Sequence, residues 1–339
     1  MTTRILIHRP GSLGDTVVAL PCFHLIRRSF PDSELRVLTN APVADGAPQL
    51  SAVLDGSGLI DGYFEYPASV RDGRRLWRLA RAIRQWHPTT AVYLVPRRQK
   101  YKVLRDAAFL RLCGIKNIIG LPLVGDSIEF RRRSDGLLER EAERLARWLA
   151  PLGMVDARDR ANWDLRLSQE ELASARSRVA EVIGGHPFIA LCIGTKQVPN
   201  DWGIGNWHAL VEGLRQECPH KLVLVGGEGD RELSEAIARN LPDRCINLCG
   251  SMGVRESAAL IASASLFIGC DSGPMHLASA VGTPLVAIFS KLNDPGIWFP
   301  FGKNVRVLYP YADNETNQSI LPIDVLMAAK DLLNPAGES

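Results

Sequence analysis

Two short stretches of the chain hold the residue types that do chemistry. In Ile268-Gly-Cys-Asp-Ser-Gly-Pro-Met-His276 an apolar run gives way to small residues that end at Gly282. Leu266, Phe267 and Ile268 have the bulk and β-preference of a buried strand, and His276 to Val281 suits a helix. The residues between them therefore predict a strand-to-helix turn. Pro274 fits a first helical position, where its missing N–H costs nothing. The backbone N–H groups of Ser272, Gly273, Met275 and His276 are then expected at a positive helix end without intrahelical partners, a setting that attracts an anion, most often phosphate. Asp271 adds an acceptor, His276 adds a donor whose charge can switch, and Gly273 permits close approach to the backbone. An ordinary capped helix, with Asp271 or Ser272 as cap and His276 merely exposed, accounts for the same letters.

The second stretch is Arg9-Pro-Gly-Ser-Leu-Gly-Asp15. Gly11 and Gly14 allow a tight turn, but the spacing is not Gly-x-Gly-x-x-Gly. A dinucleotide fingerprint, and with it a dehydrogenase, is poorly supported. The turn instead delivers the Asp15 carboxylate to a helix start. There it either complements the helix dipole, worth roughly 0.3–1 kcal/mol, or serves as a general base once a hydroxyl is held against it.

The elements that must position these stretches read as alternating strands and helices. Arg4 to His8 is a first buried strand, Asp15 to Phe30 a helix that Pro21 should kink or restart, Leu35 to Leu38 a second strand. Leu76 to Trp86 is amphipathic and feeds a strand at Ala91 to Val95. Glu139 to Leu149 is helical, and Pro151 to Asp164, polar and broken by Gly153, is the candidate linker. The pattern then restarts: helix Gln169 to Ile183, strand Phe188 to Ile193, helix Trp207 to Cys218 and strand Leu222 to Val225. Helices Glu232 to Asn240 and Leu260 to Ala264 follow, with strands at Leu266 and Leu285 to Phe289. Such alternation implies parallel βαβ units. The expected architecture is α/β: two Rossmann-like domains, 1–165 and 166–339, facing a central cleft, with a last helix able to pack back on the first domain. Ligands in such sheets bind beyond the carboxyl ends of the strands.

Bulk properties agree. At 339 residues the chain exceeds the size of a single core, and 46% hydrophobic with 23% charged residues describes a soluble globular protein. No run approaches a membrane span and the amino terminus lacks a signal-peptide core, which predicts a cytoplasmic protein, peripheral at most to the cytoplasmic membrane face. Seven cysteines without a Cys-x-x-Cys pair read as reduced thiols, and the histidines show no ligand spacing, so no metal is expected. The net charge of +3 conceals an asymmetry: residues 1–168 hold 27 Lys and Arg against 18 Asp and Glu, the remainder 13 against 19. The excess concentrates in Arg97-Arg98-Gln99-Lys100-Tyr101-Lys102 and Arg131-Arg132-Arg133, both expected in loops. These are either solvated surface or a place for an anionic partner, and without a recognition motif or aromatic platform nucleic acid is the weakest candidate.

Ile5-Leu-Ile-His-Arg-Pro-Gly-Ser-Leu-Gly-Asp15 with Leu20-Pro21, and Asp271-Ser-Gly-Pro-Met-His276 with Gly282-Thr-Pro284, together resemble the signatures of glycosyltransferase family nine, the heptosyltransferases of lipopolysaccharide core synthesis. The resemblance spans both halves. It implies a GT-B fold, a metal-independent inverting mechanism and a nucleotide-diphosphate heptose donor, typically ADP-heptose, used as co-substrate without a cofactor. It further implies Asp15 as the base acting on the acceptor hydroxyl, and Asp271, Ser272, Gly273, Met275 and His276 as the grip on the donor diphosphate and sugar. Thr195 and Lys196 extend the donor site, and Glu228 is the first choice for a ribose hydroxyl, with Asp230 and Glu232 as competitors or simple helix starters. Ser12, Gly14, Arg97, Arg98, Lys100, Lys102, Arg131 and Arg132 are the candidates for an anionic glycan or glycolipid acceptor, and His8 is expected to face substrate. The family usually carries Lys two residues before the Trp that is here Trp202; Asn200 stands in that place. A GT-B enzyme using another nucleotide sugar, a sugar-nucleotide epimerase of similar shape, and a nucleotide-binding module without catalysis are the rival readings.

Overall fold

The structure, a computed structural model, describes residues 2–41, 49–67, 73–122, 129–195, 200–291, 294–310 and 315–334. The chain divides into two compact units, Met1–Arg166 and Leu167–Ser339.

The first unit is built on β1 (Arg4–His8), β2 (Glu34–Asn40), β3 (Gly62–Tyr66), β4 (Thr90–Tyr93) and β5 (Asn117–Ile119). All pair in parallel in the order β3-β2-β1-β4-β5. Ile5, Leu6, Ile7, Ala91 and Val92 are fully buried, as a parallel strand covered on both faces requires. Its helices are α1 (Leu13–Val18), α2 (Leu20–Ser29), α3 (Ser51–Leu54), α4 (Gly73–Trp86), α5 (Lys100–Leu112) and α6 (Glu141–Trp148). The helix expected over Asp15 to Phe30 is thus two: Ala19 ends α1, and Pro21 lies in the first turn of α2, where it forfeits no bond. Residues 151–164 pack on α2, with Trp163 buried and its indole N–H on the Ala157 carbonyl at 2.9 Å.

The second unit carries β6 (Phe188–Cys192), β7 (Lys221–Leu224), β8 (Cys245–Asn247), β9 (Leu266–Cys270), β10 (Leu285–Ile288) and β11 (Val305–Leu308), parallel in the order β11-β10-β9-β6-β7-β8. Counted from β6, that is the 3-2-1-4-5-6 order of a dinucleotide-binding fold. Its helices are α7 (Gln169–Ile183), α8 (Ile204–Glu217), α9 (Arg231–Ala238), α10 (Val254–Ile261), α11 (Gly273–Val281) and α12 (Pro322–Leu333). The last of these packs on α8 and beside β9 and β10 within this unit. Trp202 and Trp207 meet edge to face at 4.9 Å in its core, each fully buried, beside Leu210 and Val325. Burying such side chains contributes roughly 1.5–3 kcal/mol each. All seven cysteines are buried and free.

Candidate functional site

In each sheet the strand order reverses at one point, between β1 and β4 in the first unit and between β6 and β9 in the second. Loops diverging beyond the carboxyl ends of those strands leave the crevice in which open α/β sheets bind ligands. Both chemistry-bearing stretches lie there: Arg9 to Asp15 follows β1, and Asp271 and Ser272 follow β9.

The first crevice is organised by a residue the motif reading did not single out. Arg9, at the end of an apolar strand, is fully buried. Its guanidinium donates to the Leu94 carbonyl beyond β4 at 2.9 Å and to the main-chain carbonyl of Asp15, and lies 3.9 Å from Asp15 Oδ1. The signal was available: an Arg that closes Ile-Leu-Ile-His is dragged inward with the strand and must find acceptors there. Asp15 stands in the first turn of α1, where its Oδ2 accepts from the Ser12 N–H at 2.7 Å and the Ser12 hydroxyl at 2.8 Å, and a fifth of its side chain is exposed. The carboxylate is a helix cap and is also open to a ligand. Gly11, at φ +147°, makes this possible: a Cβ there would fall 2.5 Å from the Cβ of Asp15. Its N–H is held by Asn40 Oδ1 at 2.8 Å.

His8, expected to face substrate, is buried. Its ring packs against Tyr93 and Tyr66, with centroids at 5.5 and 6.4 Å, and among the described residues its Nδ1 has no hydrogen-bond partner. Burial pushes its pKa down to about 4, so the ring is neutral. The basic runs lie in loops as expected at Arg97, Arg98 and Arg131 to Arg133, and differ at one point. Lys100 and Lys102 begin α5 and are not in a loop, because Gln99 provides the extended N-cap from which the helix starts. Arg98 donates to buried Asp106 at 2.7 Å beside Tyr93 and Arg105, and burial together with that carboxylate pushes the Tyr93 phenol up. Arg97 pairs with Glu129 at 2.7 Å. Arg132 bridges to Leu138 and donates to the Gly136 carbonyl at 2.7 Å, and Arg131 precedes it in the same turn.

In the second crevice Ser272, extended at φ −156°, is the N-cap of α11, with Pro274 in the first turn. The turn is the expected one with a single difference: the His276 N–H is taken by the Ser272 carbonyl at 3.3 Å, as helix continuation demands. Met275 is fully buried and serves the core beneath the turn. His276 Nε2 lies 3.8 Å from Asp271 Oδ1, and the ring packs edge-on to Trp298 at 6.3 Å. Asn200, fully buried, donates to Asp271 Oδ2 at 3.3 Å, while Asn317 donates to the Asn200 carbonyl at 2.7 Å. Asp271 is therefore gripped from two sides. The Ser272 hydroxyl is 3.8 Å from Cys192 Sγ at the end of β6. Thr195 follows β6 on the same crevice, and Lys196 lies outside the described residues.

Beyond β7, Glu228 is exposed and bonded to Arg231 at 2.8 and 2.9 Å, which holds its carboxyl below the usual range. It lies across Gly250, where a Cβ would meet its Oε2 at 2.0 Å. Asp230 accepts from the Gly227 N–H at 2.8 Å and fills the space over Gly194 and Gly226, whose added Cβ atoms would fall 1.9 and 2.6 Å from it. Glu232 belongs to the first turn of α9. Among the described residues no cluster of His, Cys, Asp and Glu could hold a metal ion, and no helix is long and apolar enough to cross a membrane.

Residues 141–320, over half of the chain, match the family described as glycosyltransferase family 9 (heptosyltransferase). The chain belongs to glycosyltransferase family 9. Lipopolysaccharide heptosyltransferase 3 of Escherichia coli strain K12 is 24% identical over 95% of both chains, and lipooligosaccharide heptosyltransferase 2 of Haemophilus influenzae is 30% identical over 36% of each. Among solved structures, a family 9 enzyme from Veillonella parvula superposes with a TM-score of 0.75 at 19% identity over 98% of both chains. E. coli ADP-heptose lipopolysaccharide heptosyltransferase II gives 0.72 at 19% identity over 98% of this chain and 99% of that one. The fold of this family 9 chain is GT-B, and it is a glycosyltransferase.

Proposed function

We propose that this family 9 chain is an inverting heptosyltransferase that moves heptose from ADP-heptose to a hydroxyl of an anionic glycan or glycolipid acceptor, such as the lipopolysaccharide inner core. The observation that carries the reading is the pair of crevices: a capped but open carboxylate, Asp15, at one switch point and a helix N-terminus flanked by Asp271 and His276 at the other. Both E. coli relatives, heptosyltransferases 3 and II, carry the lipopolysaccharide name, and solved E. coli heptosyltransferases bind ADP and an ADP-fluoroheptose.

In this reading Asp15 takes the proton of the acceptor hydroxyl as its oxygen attacks the anomeric carbon. The bond from that carbon to the diphosphate oxygen breaks on the opposite face, and the electron pair leaves with ADP. The charge that develops on the leaving phosphate meets the Gly273 N–H and the positive end of α11, the kind of preorganised dipole that lowers such barriers most. Thr195 and Lys196 assist at the diphosphate, Glu228 or Asp230 holds the ribose, and Ser12 and Gly14 line the acceptor oxygen's approach. Lys100, Lys102, Arg131 and Arg132 draw the anionic acceptor, and Arg97 and Arg98 do so through the field that remains after their own ion pairs.

A second reading, a different nucleotide sugar, is favoured by Asn200. An uncharged, buried amide occupies the place of a cation expected to face phosphate. Thermal shift with ADP, UDP, GDP and their sugars separates the two, since a ligand confined to the native state raises its melting temperature. ADP-heptose-dependent release of ADP in the presence of heptose-deficient lipopolysaccharide supports the first reading. A shift with UDP or GDP alone rejects it.

A further inference from the structure

The first unit has a second basic surface, centred on α4, which lies outside the sequence runs already considered, and continued by α5, whose first turn shares Lys100 and Lys102 with the first of those runs. The crossovers β3 to β4 and β4 to β5 both step the same way across the sheet, so right-handed connections put α4 and α5 on one face. They are in contact there, and the Arg84 side chain reaches the turn that ends α5 at Gly114. Helix α4 carries five arginines and no acidic residue, and α5 carries four Lys or Arg with a single acid, Asp106. That acid is turned inward and already bonded to Tyr93, Arg98 and Arg105.

The stripe that faces outward on α4 is Arg74, Trp77, Arg78 and Arg81, at positions i, i+3, i+4 and i+7 of the helix repeat, while Ala80, Ile83 and Trp86 are buried on its other side. Within this positive field Trp77 is 58% exposed, with the Arg81 guanidinium 5.6 Å from its ring. Tyr101, Leu104 and Leu112 of α5 are exposed to a similar degree, and Leu76 is at 36%. A merely solvated face has no use for a Trp, a Tyr and three Leu among its cations. Nucleic acid would use the charge and the rings, but it leaves the leucines without a role. An anionic bilayer takes all three: arginines at the headgroup phosphates, Trp and Tyr at the interfacial level, Leu just below it.

We propose that the α4–α5 face docks the protein on an anionic phospholipid bilayer. Helix α4 lies along the surface, with Trp77 and Leu104 entering the headgroup region and Arg78 and Arg81 on phosphate. This contact requires no substrate and is independent of the sugar that is transferred.

The experiment is cosedimentation of the full chain with vesicles of phosphatidylcholine alone and with about 30 mol% phosphatidylglycerol. Binding is expected to the anionic vesicles alone, to fall about ten-fold or more at about 0.5 M salt, and to fall as far in the exposed-site variant Trp77→Ser/Arg78→Glu/Arg81→Glu. The tryptophan emission should shift to the blue on binding and lose that shift in Trp77→Phe. Circular dichroism melts verify that each variant is folded, and ADP affinity should be unchanged. Equal partitioning to neutral vesicles, undiminished binding of the folded triple variant, or preferential capture of the protein by RNA in a mixture with anionic vesicles would each overturn the proposal.

Discussion

Asp15 is held on two sides before any acceptor arrives, by Ser12 at one oxygen and by the neighbourhood of Arg9 at the other. Replacing it with Asn keeps the size and part of the cap, so the helix should survive. Turnover is expected to fall by about 10²–10⁴-fold with donor affinity within a few-fold, and steady-state kinetics beside ADP titration test this; normal turnover removes Asp15 from the base role. His8 makes a separate prediction about pH. Its folded pKa of about 4 lies below the 6.5 of the unfolded chain, so between those values the unfolded state binds more protons and stability rises with pH. Acidification from about 6.5 to 4 should therefore cost up to about 3 kcal/mol through this residue alone. Denaturant midpoints across that window should show the slope, and His8→Phe should flatten it.

At the scale of elements, Gly11 is the joint on which the α1 turn depends. Gly11→Ala adds a strained φ and a Cβ inside the space of the Asp15 side chain, so it is expected to lower stability by about 1–3 kcal/mol and activity well beyond that loss. Retained activity at full stability would show that the carboxylate can stand elsewhere. In the second unit Arg255 of α10 grips Glu171 of α7 at 2.5 and 2.9 Å, and this bond holds the Glu171 carboxyl down at about 2. Arg255→Ala should lower the melting temperature by a few degrees, equivalent to about 1 kcal/mol, and the difference from the parent chain should shrink as pH falls from 4.5 towards 2. The elements with strong signals were legible in the letters: α7 runs over Gln169–Ile183 as expected, closed in the structure by a Ser168 cap and a left-handed Gly184, and β1, β6 and β9 are continuous apolar runs. The short strands β3, β5, β8 and β11 were not. They pair on one side or near a sheet edge and bury few residues, so neither a solid apolar run nor clean alternation marks them. Helix α5 was hidden by its lysines and arginines, which sit on turns that face outward. The site split in the same way. The Ser272 cap and Asp15 were visible as local motifs, whereas Arg9 on Leu94 and Asn317 on Asn200 join residues 85 and 117 positions apart, a relation that exists only after folding.

For the whole molecule, two units with separate cores and opposite charge excess predict that ligands act on them unequally. ADP at a hundred times its dissociation constant should stabilise the unit that binds it by about 2.7 kcal/mol. Calorimetry of the full chain should then show the transition of Leu167–Ser339 moving upward with less movement of Met1–Arg166; equal displacement of both would contradict a donor site confined to the second unit. The burial of all seven cysteines bears on how such experiments can be read. Desolvation pushes the Cys22, Cys113, Cys192 and Cys245 thiols up to about 12 and Cys249 to about 11, leaving almost no thiolate for an alkylating reagent near neutral pH. The natural sequence is therefore already a silent background for thiol chemistry. A cysteine introduced at Arg78 should react with a maleimide dye while the native seven wait for unfolding, giving a reporter attached at one known point of α4 with no prior removal of cysteines.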